Sequence, residues 1–223
     1  MKRTKLADRA LPDYSRGEEI MNMTTHIVGG FLGIVALAMC VVKAAWARNV
    51  YGVVASAIYG ASLILLYAVS STYHGLRPSM GKKVMQVIDH CTIYFLIAGS
   101  YTAVALAGLR PFYPALGWAM FGAQWALAAL AVTLTAIDLK RYQAFSMFCY
   151  ICMGWAILPF FRQTMLALGA TGFWLLFSGV IAYTIGAVLY GIGAKKHWMH
   201  SVFHIFVVLG SLLQFLAIYL GAL

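Results

Sequence analysis

The chain contains seven apolar runs, at about 22–46, 50–74, 85–108, 113–136, 142–161, 171–193 and 200–222. Each comes close to the roughly 20 helical residues that cross a hydrocarbon core about 30 Å thick. Hydrocarbon satisfies no backbone N–H or C=O, so continuous runs of this length must close their hydrogen bonds internally, as helices. The connections are short, so sequence neighbours should pack antiparallel in one bundle. The expected fold is all-α, a polytopic membrane protein with a polar tail over 1–19 and a single seven-helix transmembrane domain over 20–223. Composition agrees: 63% hydrophobic and 10% charged is more apolar surface than a soluble domain of 223 residues can bury. The tail lacks the apolar stretch of a cleaved signal peptide.

A net charge of +10 invites a nucleic-acid reading, but the positions of the charges oppose it. They fall in the short segments between apolar runs. Lys2, Arg3, Lys5, Arg9, Arg16, Arg77, Lys82, Lys83, Lys140, Arg141, Lys195 and Lys196 share one side, against Lys43, Arg48, Arg110 and Arg162 on the other. Twelve against four is a membrane-topology pattern. It predicts a cytoplasmic N-terminus, an external C-terminus and no nucleic-acid partner.

Few polar residues enter the runs, and topology assigns them one depth. His200 and His204 open the seventh run four residues apart, so on a helix both imidazoles leave one face, roughly 6 Å apart at Cβ. Two such histidines suit one metal ion, although Ser201 stands where the zincin motif has its glutamate. Ser70 and His74 repeat the i, i+4 spacing at the same end of the second run. Asp89 lies six residues past Lys83, roughly 9 Å into the third. Glu19, Asn22 and His26 follow i, i+3 and i+7 at the start of the first. Ionisable groups inside a membrane are costly and tend to be functional. Three imidazoles and a carboxylate make a zinc site, open in its catalytic form to water. Asp89 is then a ligand or the base behind it, and Ser70 a hydrogen-bond donor to water or to a developing oxyanion. Glu19, Asn22 and His26 are candidates for the layer that supports the ligands.

Other residues carry weaker signals. His90 points about 100° away from Asp89 on a helix, which favours a helix-contact role. His197 abuts two lysines at the water boundary. Cys149 and Cys152 form a C-x-x-C with no second pair, so all four cysteines read as small hydrophobes. Trp46, Tyr51, Tyr113, Trp118, Trp174 and Trp198 mark span ends, as an interfacial aromatic belt does.

Taken together, S-S-T-Y-H (70–74), I-D-H-C-T-I-Y-F-L-I-A-G-S-Y-T (88–102), H-S-V-F-H (200–204) and E-E-I-M-N-M-T-T-H (18–26) resemble the hemolysin III family from residue 17 onward. That family is grouped with the progestin and adiponectin receptors and, more distantly, the alkaline ceramidases. The resemblance implies zinc held by His74, His200 and His204, with Asp89 beside the water on the metal. The link from His74 to Asp89 is slightly shorter here than in the receptors. Short loops and a small tail fit a bacterial member, placed as a multi-pass protein in the inner (plasma) membrane.

Three functions follow from the resemblance and the site. The first is a zinc hydrolase of a membrane lipid amide or ester, acting in membrane homeostasis. The second is a receptor-like regulator of membrane fluidity or energetics, in which zinc staples helices and lipid is a ligand. The third is a cytolysin. It fits the physics least, because the seven runs offer no polar stripe for a water-filled pore.

Overall fold

The computed structural model describes residues 4–193 and 196–223. Lys2, Arg3 and Lys195, three of the basic residues used above, lie outside the described residues. Seven α-helices account for most of the rest: α1 Arg16–Trp46, α2 Val50–Gly75, α3 Met80–Thr102, α4 Pro114–Ile137, α5 Gln143–Trp155, α6 Phe161–Gly193 and α7 Met199–Ala217. No strand occurs among the described residues. The helix starts are written locally. Ser15 and Glu18 form a capping box at α1, and Glu18 Oε2 accepts from Ser15 N at 2.9 Å. The Asn49 side chain caps α2 and the Ser79 hydroxyl caps α3. Pro114 enters α4 in the first turn, where its missing N–H costs nothing.

Six helical stretches are long and apolar enough to cross a membrane: Arg16–Trp46, Val50–Gly75, Met80–Leu109, Pro114–Ile137, Gln143–Gly193 and Met199–Ala222. This is a polytopic, all-helical membrane protein. The fifth stretch covers 51 residues, where the sequence pattern separates two runs. α5 alone has 13 residues, a rise of about 20 Å against the roughly 30 Å of a hydrocarbon core. A 3₁₀ turn at Leu158–Phe160, carrying Pro159, leads from it into α6. Gly169 then interrupts α6 at φ 69°, a left-handed conformation that glycine adopts without steric cost. α3 and α7 both end in π-helix, at Ala103–Leu109 and Ile218–Ala222.

The interior holds polar groups among an apolar core, and the exposed faces are apolar. Asn22, Ser70, Gln124, Thr135 and Gln214 are buried, whereas Phe31, Leu166, Val188 and Trp174 are exposed. Among the expected belt residues, Trp46, Tyr51, Trp118, Trp174 and Trp198 are exposed. Small residues let the helices approach: a Cβ on Gly60 of α2 would meet Leu37 Cβ of α1 at 2.5 Å. α1 packs on α2, α2 on α3 and α6 on α7, and α7 closes back onto α1. That closure brings the starts of α1, α3 and α7 and the end of α2 to one end of the bundle. α5 is the loosest member, burying only Ser146, Cys149 and Met153.

Candidate metal centre

At that end, one ring nitrogen from each of His74, His200 and His204 lies within 4.8 Å of the others, and all three residues are buried. His200 Nε2 and His204 Nε2 are 3.1 Å apart. Two nitrogens on one tetrahedral zinc, each at about 2.0–2.1 Å, stand roughly 3.3 Å apart, so this pair has a ligand spacing. Neighbouring acceptors orient the rings. The carbonyl of Asn22 can only accept, so the contact at 3.3 Å places a proton on His204 Nδ1 and a lone pair on Nε2. The carboxylate of Glu19 does the same for His74, with Oε2 at 2.6 Å from Nδ1. His74 Nε2 is left buried with no hydrogen-bond partner. A lone pair aimed inward, backed by a carboxylate, is how a metal-binding histidine is held. The residues fit a metal ion.

The supporting layer differs in part from the sequence expectation. Glu19 lies behind His74 and also accepts from Lys82 Nζ at 2.6 Å. Lys82 is buried and its Nζ donates to the Leu76 carbonyl as well, at 2.8 Å. Asn22 acts through its backbone carbonyl. Its amide nitrogen lies 3.4 Å from His74 Nδ1, which already donates to Glu19. His26 makes no ring hydrogen bond; it stacks on His204 with centroids 3.7 Å apart.

Two contributors were not anticipated. Tyr14 stacks on His200, with centroids at 4.7 Å and planes 18° apart. Burial pushes its phenol well above the usual tyrosine range. Glu18 is buried and accepts from Trp198 N at 2.6 Å and His197 Nδ1 at 3.3 Å. It thereby holds the left-handed Trp198 (φ 67°) that starts α7. The S-x-x-E pattern at 15–18 was the available signal for Glu18. His197 is exposed and faces Glu18 rather than the three histidines.

Ser70, Asp89, His200 and His204 border one cavity, whose far wall includes Val104, Ile157 and Leu176. From Asp89 to Val104 it follows α3 for about 22 Å, at 1.5 Å per residue. The space amounts to about 1440 Å³, its open mouth included. Ser70 and Asp89 face the same cavity. His90 lines the same cavity, which is wide enough to be bordered by both neighbours on α3. Its Nδ1 donates to the Gln86 carbonyl at 2.8 Å, and its Nε2 lies 3.3 Å from the Tyr190 hydroxyl. Deeper in, the hydroxyls of Tyr67 and Tyr183 meet Ser211 Oγ at 2.6 and 2.8 Å, joining α2, α6 and α7. The four cysteines are free; Cys149 packs beside Tyr94 and Met153, and Cys152 is exposed.

Comparison with known proteins gives one family. The sequence model described as "Haemolysin-III related" matches residues 14–215. The chain is 35% identical to Hemolysin-3 of Bacillus cereus over 201 residues, 90% of each chain. It is 34% identical to the Hemolysin-3 homolog of Bacillus subtilis (strain 168), over 90% of this chain and 92% of that one. A more distant likeness, 26% over 170 residues, reaches the human monocyte to macrophage differentiation factor, covering 73% of this chain and 68% of the relative. By the extent of these matches, and by a histidine centre built from the motifs quoted at the outset, this chain belongs to the haemolysin-III-related family.

Proposed function

We propose that this chain is a zinc-dependent hydrolase of membrane lipid amides. In this reading it has seven spans, a cytoplasmic N-terminus and a bacterial inner-membrane location. The observation that carries the reading is the shared cavity: His200 and His204, two of the three histidines fit for a metal, stand with a carboxylate and a hydroxyl at the head of a long, mostly apolar space. A cavity of that shape suits an acyl chain, each buried CH₂ contributing about 0.8 kcal/mol, with the polar linkage held at the histidine end. Zinc bound by His74, His200 and His204 would polarise a carbonyl and make water a stronger acid. Asp89 then accepts the proton of the attacking water. Ser70 orients Asp89 or donates to the developing oxyanion. Burial of the three histidines excludes bulk water, which strengthens each of these interactions.

A regulator with structural zinc is the second reading. It is favoured by the donor set itself, because His74 on α2 and His200 and His204 on α7 would staple two helices whatever the chemistry. The name Hemolysin-3 belongs to the two Bacillus relatives. The exposed helix faces of this chain are apolar, which supports neither a pore nor a polar channel wall. The test is detergent-purified protein assayed for metal and for fatty-acid release from ceramides and other lipid amides. The expected result is one zinc per chain, largely lost in His200→Ala, and release that depends on zinc. Equal metal in wild type and His200→Ala overturns the site. Zinc-replete protein inert on every lipid amide overturns the hydrolase and leaves the staple.

A further inference from the structure

Resting on the hydrolase reading, we infer that Tyr190 is the proton donor to the leaving nitrogen and that His90 is the positioning residue that aims it. Amide hydrolysis needs two proton transfers. One proton leaves the attacking water, and one must reach the nitrogen before the C–N bond can break, because an amide anion is too poor a leaving group. Asp89 serves the first transfer. The three histidines are not free to serve the second: in the proposed site their inward nitrogens would be taken up by the metal, while His74 Nδ1 donates to Glu19, His204 Nδ1 to the Asn22 carbonyl, and the His200 ring is covered by Tyr14.

Across the same cavity stands a hydroxyl whose proton direction can be derived. The Gln86 carbonyl only accepts, so His90 Nδ1 carries the hydrogen of that 2.8 Å bond. In the neutral imidazole Nε2 is then an acceptor, so the contact at 3.3 Å is Tyr190 O–H donating to His90. The ring of Tyr190 is fixed against His200, with centroids at 5.7 Å, and against Phe203 at 5.5 Å. His90 is itself anchored a second time, its carbonyl accepting from Tyr150 Oη at 2.7 Å. His90, Gln143, Tyr150 and Tyr190 all line the cavity that contains Asp89 and His200.

The step balances without an added reactant. Water oxygen forms the new C–O bond and its proton passes to Asp89. Tyr190 turns its O–H from His90 Nε2 to the nitrogen, and the C–N bond breaks with its electron pair on nitrogen. The proton on Asp89 returns to the Tyr190 oxygen, so one lipid amide and one water give one carboxylic acid and one amine.

The test uses full-length zinc-loaded protein with two substrates of the same acyl chain, an N-alkyl amide and a 4-nitrophenyl ester. The ester's leaving group departs as a stable anion and needs no proton. Tyr190→Phe keeps the ring contacts and removes only the O–H. Amide turnover should fall about 100-fold or more, while ester turnover, zinc content and thermal midpoint stay at the wild-type level. His90→Ala should lower amide turnover by less, again sparing the ester. Equal loss on both substrates, no loss on either, or loss of zinc or of the thermal midpoint in Tyr190→Phe overturns the assignment and leaves the hydrolase reading standing. Wild type inert on both substrates overturns the hydrolase reading and this inference with it.

Discussion

Glu19 accepts from two donors at once: one oxygen faces His74 Nδ1 and the other the buried ammonium of Lys82. Glu19→Gln must turn an NH₂ toward one of them. Loss of a carboxylate behind a ligating histidine typically weakens metal binding about 10–100-fold. Chelator competition should show that loss in Glu19→Gln; unchanged affinity would confine Glu19 to neutralising Lys82. For Asp89 the proposed base role predicts that Asp89→Asn cuts turnover about 10²–10⁴-fold with zinc retained, and Ser70→Ala costs less. Zinc leaving with the Asp89 carboxylate would make it a ligand instead. His74, His200 and His204 were legible in the sequence because membrane topology gives the three one depth. Lys82 was not, since its charge reads as a topology marker until a carboxylate from α1 is seen across from it. Tyr14 and Tyr190 carried no pattern at all, because an aromatic near a span end is what an interface would select anyway. His90 was legible from its helical angle as a helix contact, and it does meet Tyr190 of α6 and Tyr150 of α5; that it also lines the cavity was not legible.

The segment from Thr4 to Ser15 is a strap over the histidine end rather than a free tail. Thr4 N donates to Asp138 Oδ2 at 2.8 Å, Lys83 Nζ donates to the Ala7 carbonyl at 2.5 Å, and Tyr14 covers His200. The Thr4 amide bond, aided by Arg141 N, holds the Asp138 carboxyl below the usual carboxylate range. An ordinary aspartate titrates near about 3.9, so this hold is complete above that pH and is lost as pH falls through the depressed value. A dye on Leu6→Cys should gain mobility through that acid window. In Asp138→Asn the strap should be looser and its acid step absent; a wild-type strap indifferent to pH would remove Asp138 as its anchor. Helix existence was legible from run length and helix starts from capping residues. The continuity of α5 into α6 was not, because hydropathy averages over Pro159 and Gly169 while backbone geometry turns on each.

At the scale of the whole chain, apolar surface faces outward and the ionisable groups of the histidine centre close on one end, an arrangement that suits lipid on all sides. The charge asymmetry around it predicts that a cytoplasm-restricted reporter fused after Leu223 stays silent; a bright fusion would reverse the orientation or change the parity of spans. The strap and the histidine centre share a further property, which concerns time rather than space. Thr4 waits for Asp138, 134 residues later, and Glu18 for Trp198, 180 residues later. His74 likewise waits for His200 and His204. Closing such long loops costs chain entropy, and no earlier helix supplies these partners. During synthesis the first helices therefore enter the membrane with their histidine, glutamate and asparagine unsatisfied, and only the arrival of α7 completes the centre and gives Trp198 to Glu18. For the metal proposed at this centre, the interval before that arrival is when an ion would have its freest approach.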